Sequence, residues 1–359
     1  MGLSRPPRDS TEVQLCDIWR SALLADNVGV DDDFFEQGGD SLIALKIIGD
    51  IERSFGVRVD LEDFFSRSTV TSLAHFIRER RDVYNTSPLV RLSAGSAADP
   101  LYVFHPVSGT VMRYIHFARA LGGEWPVWGL ESVRFQGDQS RPATIETMVE
   151  LYLRYMRNEH SGGPWRLMGY SMGGVLAYEA ARRLKEDGES VEMLVIVDTP
   201  VPRPENEPKP SAIWRNGIRR LAERLGIDDV DVSWIIEQDP DIQIRQLLTR
   251  AQEAGAFPAD YDQARVTHML QTRTINRLAG ARYRPPAYRG DVMFIRGIET
   301  INRLAASPGD NDAGTSKNWE NLVDRVITYD HRVPHLEMLS AENAGLVANI
   351  VTEFLTASS

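Results

Sequence analysis

The chain has a single cysteine, Cys16, so no disulfide can form within it and a disulfide-stapled secreted fold is excluded. Cys16 falls inside an amphipathic helical pattern and reads as a half-buried helix residue. No apolar run is long enough to span a bilayer. The opening residues, Met1-Gly2-Leu3-Ser4-Arg5-Pro6-Pro7, hold no apolar signal core. They read as an interdomain linker behind an initiating methionine, and a cytoplasmic location is expected. Positive charge is also short. Against 51 Asp/Glu stand 40 Lys/Arg, a net of −11, which argues against nucleic acid as a partner. What is present is the balance of a soluble globular chain, 42% hydrophobic and 25% charged, and 359 residues are enough for two or three domains.

The stretch that organises the rest is Trp165-Arg166-Leu167-Met168-Gly169-Tyr170-Ser171-Met172-Gly173-Gly174. It reads as a strand, a sharp turn with Ser171 at its tip, and a helix beginning Val175-Leu176-Ala177-Tyr178. The Gly-x-Ser-x-Gly spacing resembles the nucleophile elbow of α/β-hydrolases. Gly169 and Gly173 leave room for strand and helix to approach. Ser171 is then pushed out at a helix N-terminus, where unpaired N–H groups favour negative charge.

Before this lies a small acidic helical segment. Thr11 and Gln14 have the spacing of a capping box. Val13, Leu15, Ile18, Trp19, Ala22 and Leu23 then form an apolar stripe at helical spacing. A loop over 26–40 leads to a second helix from Asp40-Ser41, carrying Leu42, Leu45, Ile48 and Ile51. A short turn around Leu61 to Phe65 precedes a last helix with Leu73, Phe76 and Ile77. From Val30 to Asp63 ten Asp/Glu stand against three Lys/Arg, either a solvated face or a docking surface for basic partners.

The run Asp33-Phe34-Phe35-Glu36-Gln37-Gly38-Gly39-Asp40-Ser41-Leu42 is the specific feature. Taken alone it could be a loop with a capping serine. It resembles the motif of peptidyl and acyl carrier proteins of nonribosomal peptide and polyketide synthetases. That resemblance implies that Ser41 bears 4′-phosphopantetheine, attached by a phosphopantetheinyl transferase. A phosphodiester there would sit where a helix N-terminus favours an anion. Asp40 departs from the His often found there in carriers just before thioesterases.

Residues 84–87 read as a linker between a carrier over 1–83 and a second domain over 88–359. From Pro88 the rhythm becomes strand, helix, strand. Strands are expected at 89–92, 101–104, 126–130, 165–170, 193–197, 292–295 and 325–329, with helices near 111–121, 145–160 and 341–355. This alternation implies a doubly wound, mostly parallel sheet. One insertion, about 200–286, has no strand signal. It opens on a proline-rich run and continues with helical patterns over 212–225, 232–254 and 262–278. It follows the C-terminal end of a strand, where such sheets bind ligands, and reads as a helical lid.

Serine needs a base and the base needs an acid. His335, in Val333-Pro334-His335-Leu336-Glu337-Met338-Leu339, follows the last strand and is favoured over His331. His75, His105, His116, His160 and His268 come too early for this order and read as structural or surface residues. For the acid, Asp198 ends an apolar strand, where a carboxylate needs a partner; Glu299, after the next strand, is its rival. The oxyanion donors are expected to be the N–H groups of Met172 and of Val107, the latter in the loop His105-Pro106-Val107-Ser108-Gly109.

Together, the His-Pro-x-x-Gly loop, the elbow, the Val-Asp strand end and the Pro-His-x-x-Met-Leu loop resemble the type I thioesterase that terminates nonribosomal peptide synthetases. In that family the acid follows the strand that ends here at Asp198. The resemblance implies a carrier–thioesterase pair cut from a larger synthetase. Its partners would be upstream adenylation and condensation domains, and it would release an acyl or peptidyl thioester by hydrolysis or macrocyclisation. An editing hydrolase, a carrier and docking module without activity, and a stand-alone subunit remain as alternatives.

Overall fold

The computed structural model describes residues 5–357 except 58, 60, 85–86, 96–98, 124, 133–142, 161, 203–206, 225–228, 254–262 and 299–316. The N-terminal part is a helical bundle of α1 (Ser10–Leu23), α2 (Ser41–Phe55), α3 (Leu61–Phe65) and α4 (Val70–Tyr84). The carboxylate of Asp9 caps α1 by accepting the Glu12 N–H at 2.8 Å, so the cap lies two residues before Thr11 and the expected capping box does not form. At the centre of the bundle the Phe34 ring meets Trp19 and Phe64 edge to face. Gly39 lies against the Phe34 ring, where a Cβ would collide. The last helix continues to Tyr84, so the segment read as a linker from residue 84 starts on a helical residue.

The second part is built on a seven-stranded sheet among the described residues: β1 (Leu89–Ser93), β2 (Leu101–Phe104), β3 (Val127–Leu130), β4 (Trp165–Tyr170), β5 (Val191–Val197), β6 (Tyr288–Gly297) and β7 (Val323–His331). Their order is β1-β3-β2-β4-β5-β6-β7, with β1 antiparallel to β3 and every other pair parallel. Strand order reverses between β2 and β4, which makes a crevice at their C-terminal ends. All seven expected strands are present. The helix expected over 111–121 is instead a 3-10 turn, Met112–Tyr114, leading into α5 (Ile115–Ala120).

Helices α6 (Ile145–Glu159) and α7 (Met172–Glu186) cover one face of the sheet. Alternation along β4 divides its side chains, sending Trp165 and Leu167 to that face and Met168 and Tyr170 to the other. The other face meets α5 and the helix over Ala344–Ala357.

Between β5 and β6 come α8 (Pro210–Arg224), α9 (Asp229–Glu237), α10 (Pro240–Glu253) and α11 (Gln263–Arg282). The single helix expected over 232–254 is two, because Pro240 has no N–H to continue the first and is suited to opening the second. Ile218, Leu247, Val266 and Leu270 give this insertion a small core of its own. At its exit the Tyr283 hydroxyl donates to Glu179 of α7 at 2.6 Å. Burial pushes the Glu179 pKa up, but hydrogen bonds from Arg182, Tyr283 and Arg183 outweigh it and hold the group below its usual range. The chain ends with a short helix α12 (Lys317–Glu320), β7, a 3-10 turn His335–Glu337, and α13 (Ala344–Ala357).

The two parts touch through α1 and α2. The Gln14 side-chain amide donates to the Arg91 carbonyl of β1, and Arg119 of α5 pairs with Asp17 at 3.2 Å.

Candidate active site

The turn between β4 and α7 holds Ser171 at φ 57° and ψ −129°, outside the regions that L-residues ordinarily occupy. Three neighbours enforce it. A Cβ on Gly169 would collide with the Gly173 carbonyl, one on Gly173 with the Phe104 carbonyl, and one on Gly174 with the Thr199 hydroxyl. Only bare backbone allows strand, helix and the next strand end to come so close. The Thr199 hydroxyl donates to the Ser171 carbonyl at 2.7 Å, and the Ser171 N–H donates to the Val197 carbonyl at 3.0 Å.

Asp198 leaves β5 at a positive φ of 44° and is 3% exposed. Its carboxylate is satisfied on both oxygens: Oδ1 accepts the Gly297 N–H at 3.0 Å and Oδ2 lies 2.8 Å from His335 Nδ1. Strand β6 thus contributes a backbone donor at this point. The rival acid Glu299 lies outside the described residues. Because a carboxylate only accepts, His335 Nδ1 carries the proton and Nε2 is the open acceptor. Nε2 lies 3.1 Å from Ser171 Oγ. The Tyr170 hydroxyl, itself buried, holds the His335 carbonyl at 2.6 Å. His331 is the last residue of β7, beside Gly297, and burial pushes its pKa down. Pairing in the sheet keeps it in the strand, while His335, four residues on, opens the 3-10 turn.

Val107 follows β2. The Pro106 carbonyl accepts the Gly109 N–H at 2.9 Å and lies 2.8 Å from His105 Nδ1. In a trans peptide C=O and N–H point opposite ways, so these bonds set the direction of the Val107 N–H. His105 is fully buried and its Nε2 lies 2.7 Å from the Tyr152 hydroxyl. Burial pushes the His105 pKa down to about 4, with partial relief from the Pro106 carbonyl, so the ring is neutral, donating through Nδ1 and accepting through Nε2. Met172 opens α7, where the first N–H groups have no partner within the helix.

Ser41 is the first residue of α2, and the cap is made by Asp40, whose Oδ1 accepts the Ile43 N–H at 2.9 Å. A capping serine is therefore not what this position needs. A hydroxyl residue at the start of a fifteen-residue helix, delivered by a turn with Gly38 at φ +86°, fits a phosphodiester attachment.

Several contributors gave no sequence signal. Asn276 of α11 donates to the Val107 carbonyl at 3.3 Å, although 169 positions separate them. The hydroxyls of Tyr170 and Tyr152 find their partners, His335 and His105, on distant elements.

Comparison with known proteins adds identity to this geometry. Residues 13–77 match the family model described as the phosphopantetheine attachment site, and residues 99–226 match that of the thioesterase domain. A dimodular nonribosomal peptide synthase of Bacillus subtilis (strain 168) is 27% identical over 81% of the chain. A probable non-canonical nonribosomal peptide synthetase of Salinispora arenicola, CymA, is 30% identical over 99%. The chain spans 12% and 4% of their respective lengths. The crystal structure of a four-domain nonribosomal peptide synthetase, holo-AB3403 bound to AMP and glycine, superposes with a TM-score of 0.82 at 28% identity. That match covers 98% of this chain and 26% of the other.

Proposed function

We propose that this chain, a phosphopantetheine-carrier domain joined to a thioesterase domain of the nonribosomal peptide synthetase family, releases the product held on its own carrier by acyl transfer to Ser171. The observation that carries the reading is the continuous line of hydrogen bonds from Ser171 Oγ through His335 to Asp198. The carrier is taken as residues 1–83 and the thioesterase as 88–359, with the insertion at about 200–286 acting as lid. Adenylation and condensation domains upstream in a longer synthetase would supply the chain to be released.

Ser41 would hold phosphopantetheine, whose terminal thiol carries the acyl chain as a thioester. His335 Nε2 takes the Ser171 proton as Oγ attacks the acyl carbonyl. Asp198 keeps Nδ1 protonated and balances the charge of the imidazolium. The N–H groups of Val107 and Met172 stabilise the oxyanion. His335 returns the proton to the departing sulfur, the C–S bond breaks, and acyl-Ser171 remains. Water, or an amine or hydroxyl of the acyl chain, is deprotonated by His335 and attacks this ester. His335 passes that proton to Ser171 Oγ as the acyl C–O bond breaks, which restores the serine and frees the product as acid or ring.

The test is a pair of variants. Ser171→Ala should lower turnover of a soluble acyl thioester by about 10⁶, the scale seen when a triad serine is lost in a comparable protease. Near-normal turnover would refute the reading. Ser41→Ala should leave that turnover intact and abolish the mass gain on treatment with a phosphopantetheinyl transferase. A wild-type chain that gains no mass would refute the carrier assignment.

A further inference from the structure

The loop that carries Val107 is held on two sides by groups from different parts of the fold. On one side are His105 and Gly109, which fix the Pro106 carbonyl. On the other is the insertion. Asn276 of α11 is 1% exposed; its Nδ2 donates to the Val107 carbonyl at 3.3 Å and its Oδ1 accepts from the Ser132 hydroxyl at 3.4 Å. Ser132 in turn donates its backbone N–H to the Gly109 carbonyl at 2.8 Å. Thr272, one turn earlier on α11, stands against Gly109 so closely that a Cβ there would come within 2.6 Å of its Cγ2.

A buried primary amide is costly unless both of its ends are satisfied. Here each end goes to the loop or to the residue that pairs with it. The loop lies outside the sheet, so its conformation depends on such contacts. We propose that Asn276 is a positioning residue for the oxyanion site: through it, α11 holds the Val107 loop in its working conformation, so the site is complete only with α11 seated. This rests on the reading of Val107 as an oxyanion donor given above.

The experiment uses the full chain and two variants. Asn276→Asp keeps the shape and replaces the donor by oxygen; Asn276→Ala removes the amide and carries the same expectation if the first does not fold. With a soluble acyl thioester, kcat should fall by about 10- to 10²-fold with KM held within about twofold, the scale of a misplaced catalytic group. A trifluoromethyl-ketone acyl analogue, which adds Ser171 and places an oxyanion in the site, should weaken by the same factor. A non-hydrolysable thioether analogue should bind as before. Ser132→Ala should shift kcat in the same direction by less.

A folded Asn276 variant with kcat within about twofold of wild type would overturn the proposal. So would equal weakening of both analogues, which would mean that Asn276 only shapes the pocket. If Ser171→Ala is inactive while the Asn276 variants are normal, the coupling alone fails. If Ser171→Ala stays active, the acyl-transfer reading fails first.

Discussion

The Tyr170 hydroxyl donates to the His335 backbone carbonyl at 2.6 Å, and the Tyr170 ring stacks on the same imidazole with centroids 4.9 Å apart and planes 26° from parallel. The residue before Ser171 therefore steadies the imidazole that faces it. The Tyr170 N–H is in turn held by the Tyr114 hydroxyl, which also donates to the Phe104 carbonyl, both at 2.7 Å. Tyr170→Phe keeps the stack and loses one hydrogen bond, worth about 1 kcal/mol. If that loss falls on placement of the base, kcat should drop about fivefold with KM unchanged. An unaltered kcat would show that the His335 loop holds its place without the bond.

Asp198→Asn tests the acid. The amide presents either an oxygen or an N–H to His335, and the N–H favours the tautomer with the proton on Nε2, which cannot accept from Ser171. In a comparable serine protease this change costs about 10⁴ in kcat. The same order of loss is expected here, with slowed labelling of Ser171 by a fluorophosphonate. A loss below about tenfold would move the acid elsewhere.

His105 predicts a pH dependence of stability. Its pKa is depressed from 6.5 to about 4 by burial. Between those values the unfolded chain binds a proton that the folded chain does not, so stability falls as pH is lowered through this window and levels off below about 4. The contribution is about 3 kcal/mol, fully present above pH 6.5 and lost by pH 4. Denaturant titrations at pH 7, 6 and 5 should show wild type losing stability more steeply than His105→Gln. Parallel losses would mean that His105 titrates normally.

Two glycines separate close approach from open helix. Gly173→Ala drives a Cβ into the Phe104 carbonyl and should destabilise by about 1–3 kcal/mol or more while displacing the elbow. Gly345 lies in the first turn of α13 with nothing within 4 Å of an added Cβ, and Gly345→Ala should stabilise by about 0.4–1 kcal/mol. Thermal melts of both variants check the pair. Equal shifts of the same sign would contradict the packing described for the elbow.

Much of the fold was legible because local pattern and tertiary role agree in this chain. Leu101–Phe104 and Trp165–Tyr170 are strands buried on both faces, and such strands announce themselves as apolar runs. The bundle around Phe34 was legible from helical spacing. The details that went astray were decided by single groups. Asp9 outcompeted Thr11 as a cap, Pro240 divided one expected helix into two, and α4 ran on to Tyr84 where polarity suggested a linker.

Residue types and their order along the chain determined the architecture, the elbow and a short set of candidates for nucleophile, base and acid. Periodicity and glycine spacing act over a few residues and survive in one dimension. Sequence order already favoured His335 over His331, and the tertiary structure shows why His335 is the one to reach Ser171 Oγ: β7 keeps His331 in the sheet, and His335 opens the 3-10 turn beyond it. Tertiary structure alone set Gly297 on Asp198 and Asn276 on Val107, partners 99 and 169 positions apart. Contacts of that length depend on how strands and helices close on one another, and no local pattern encodes them.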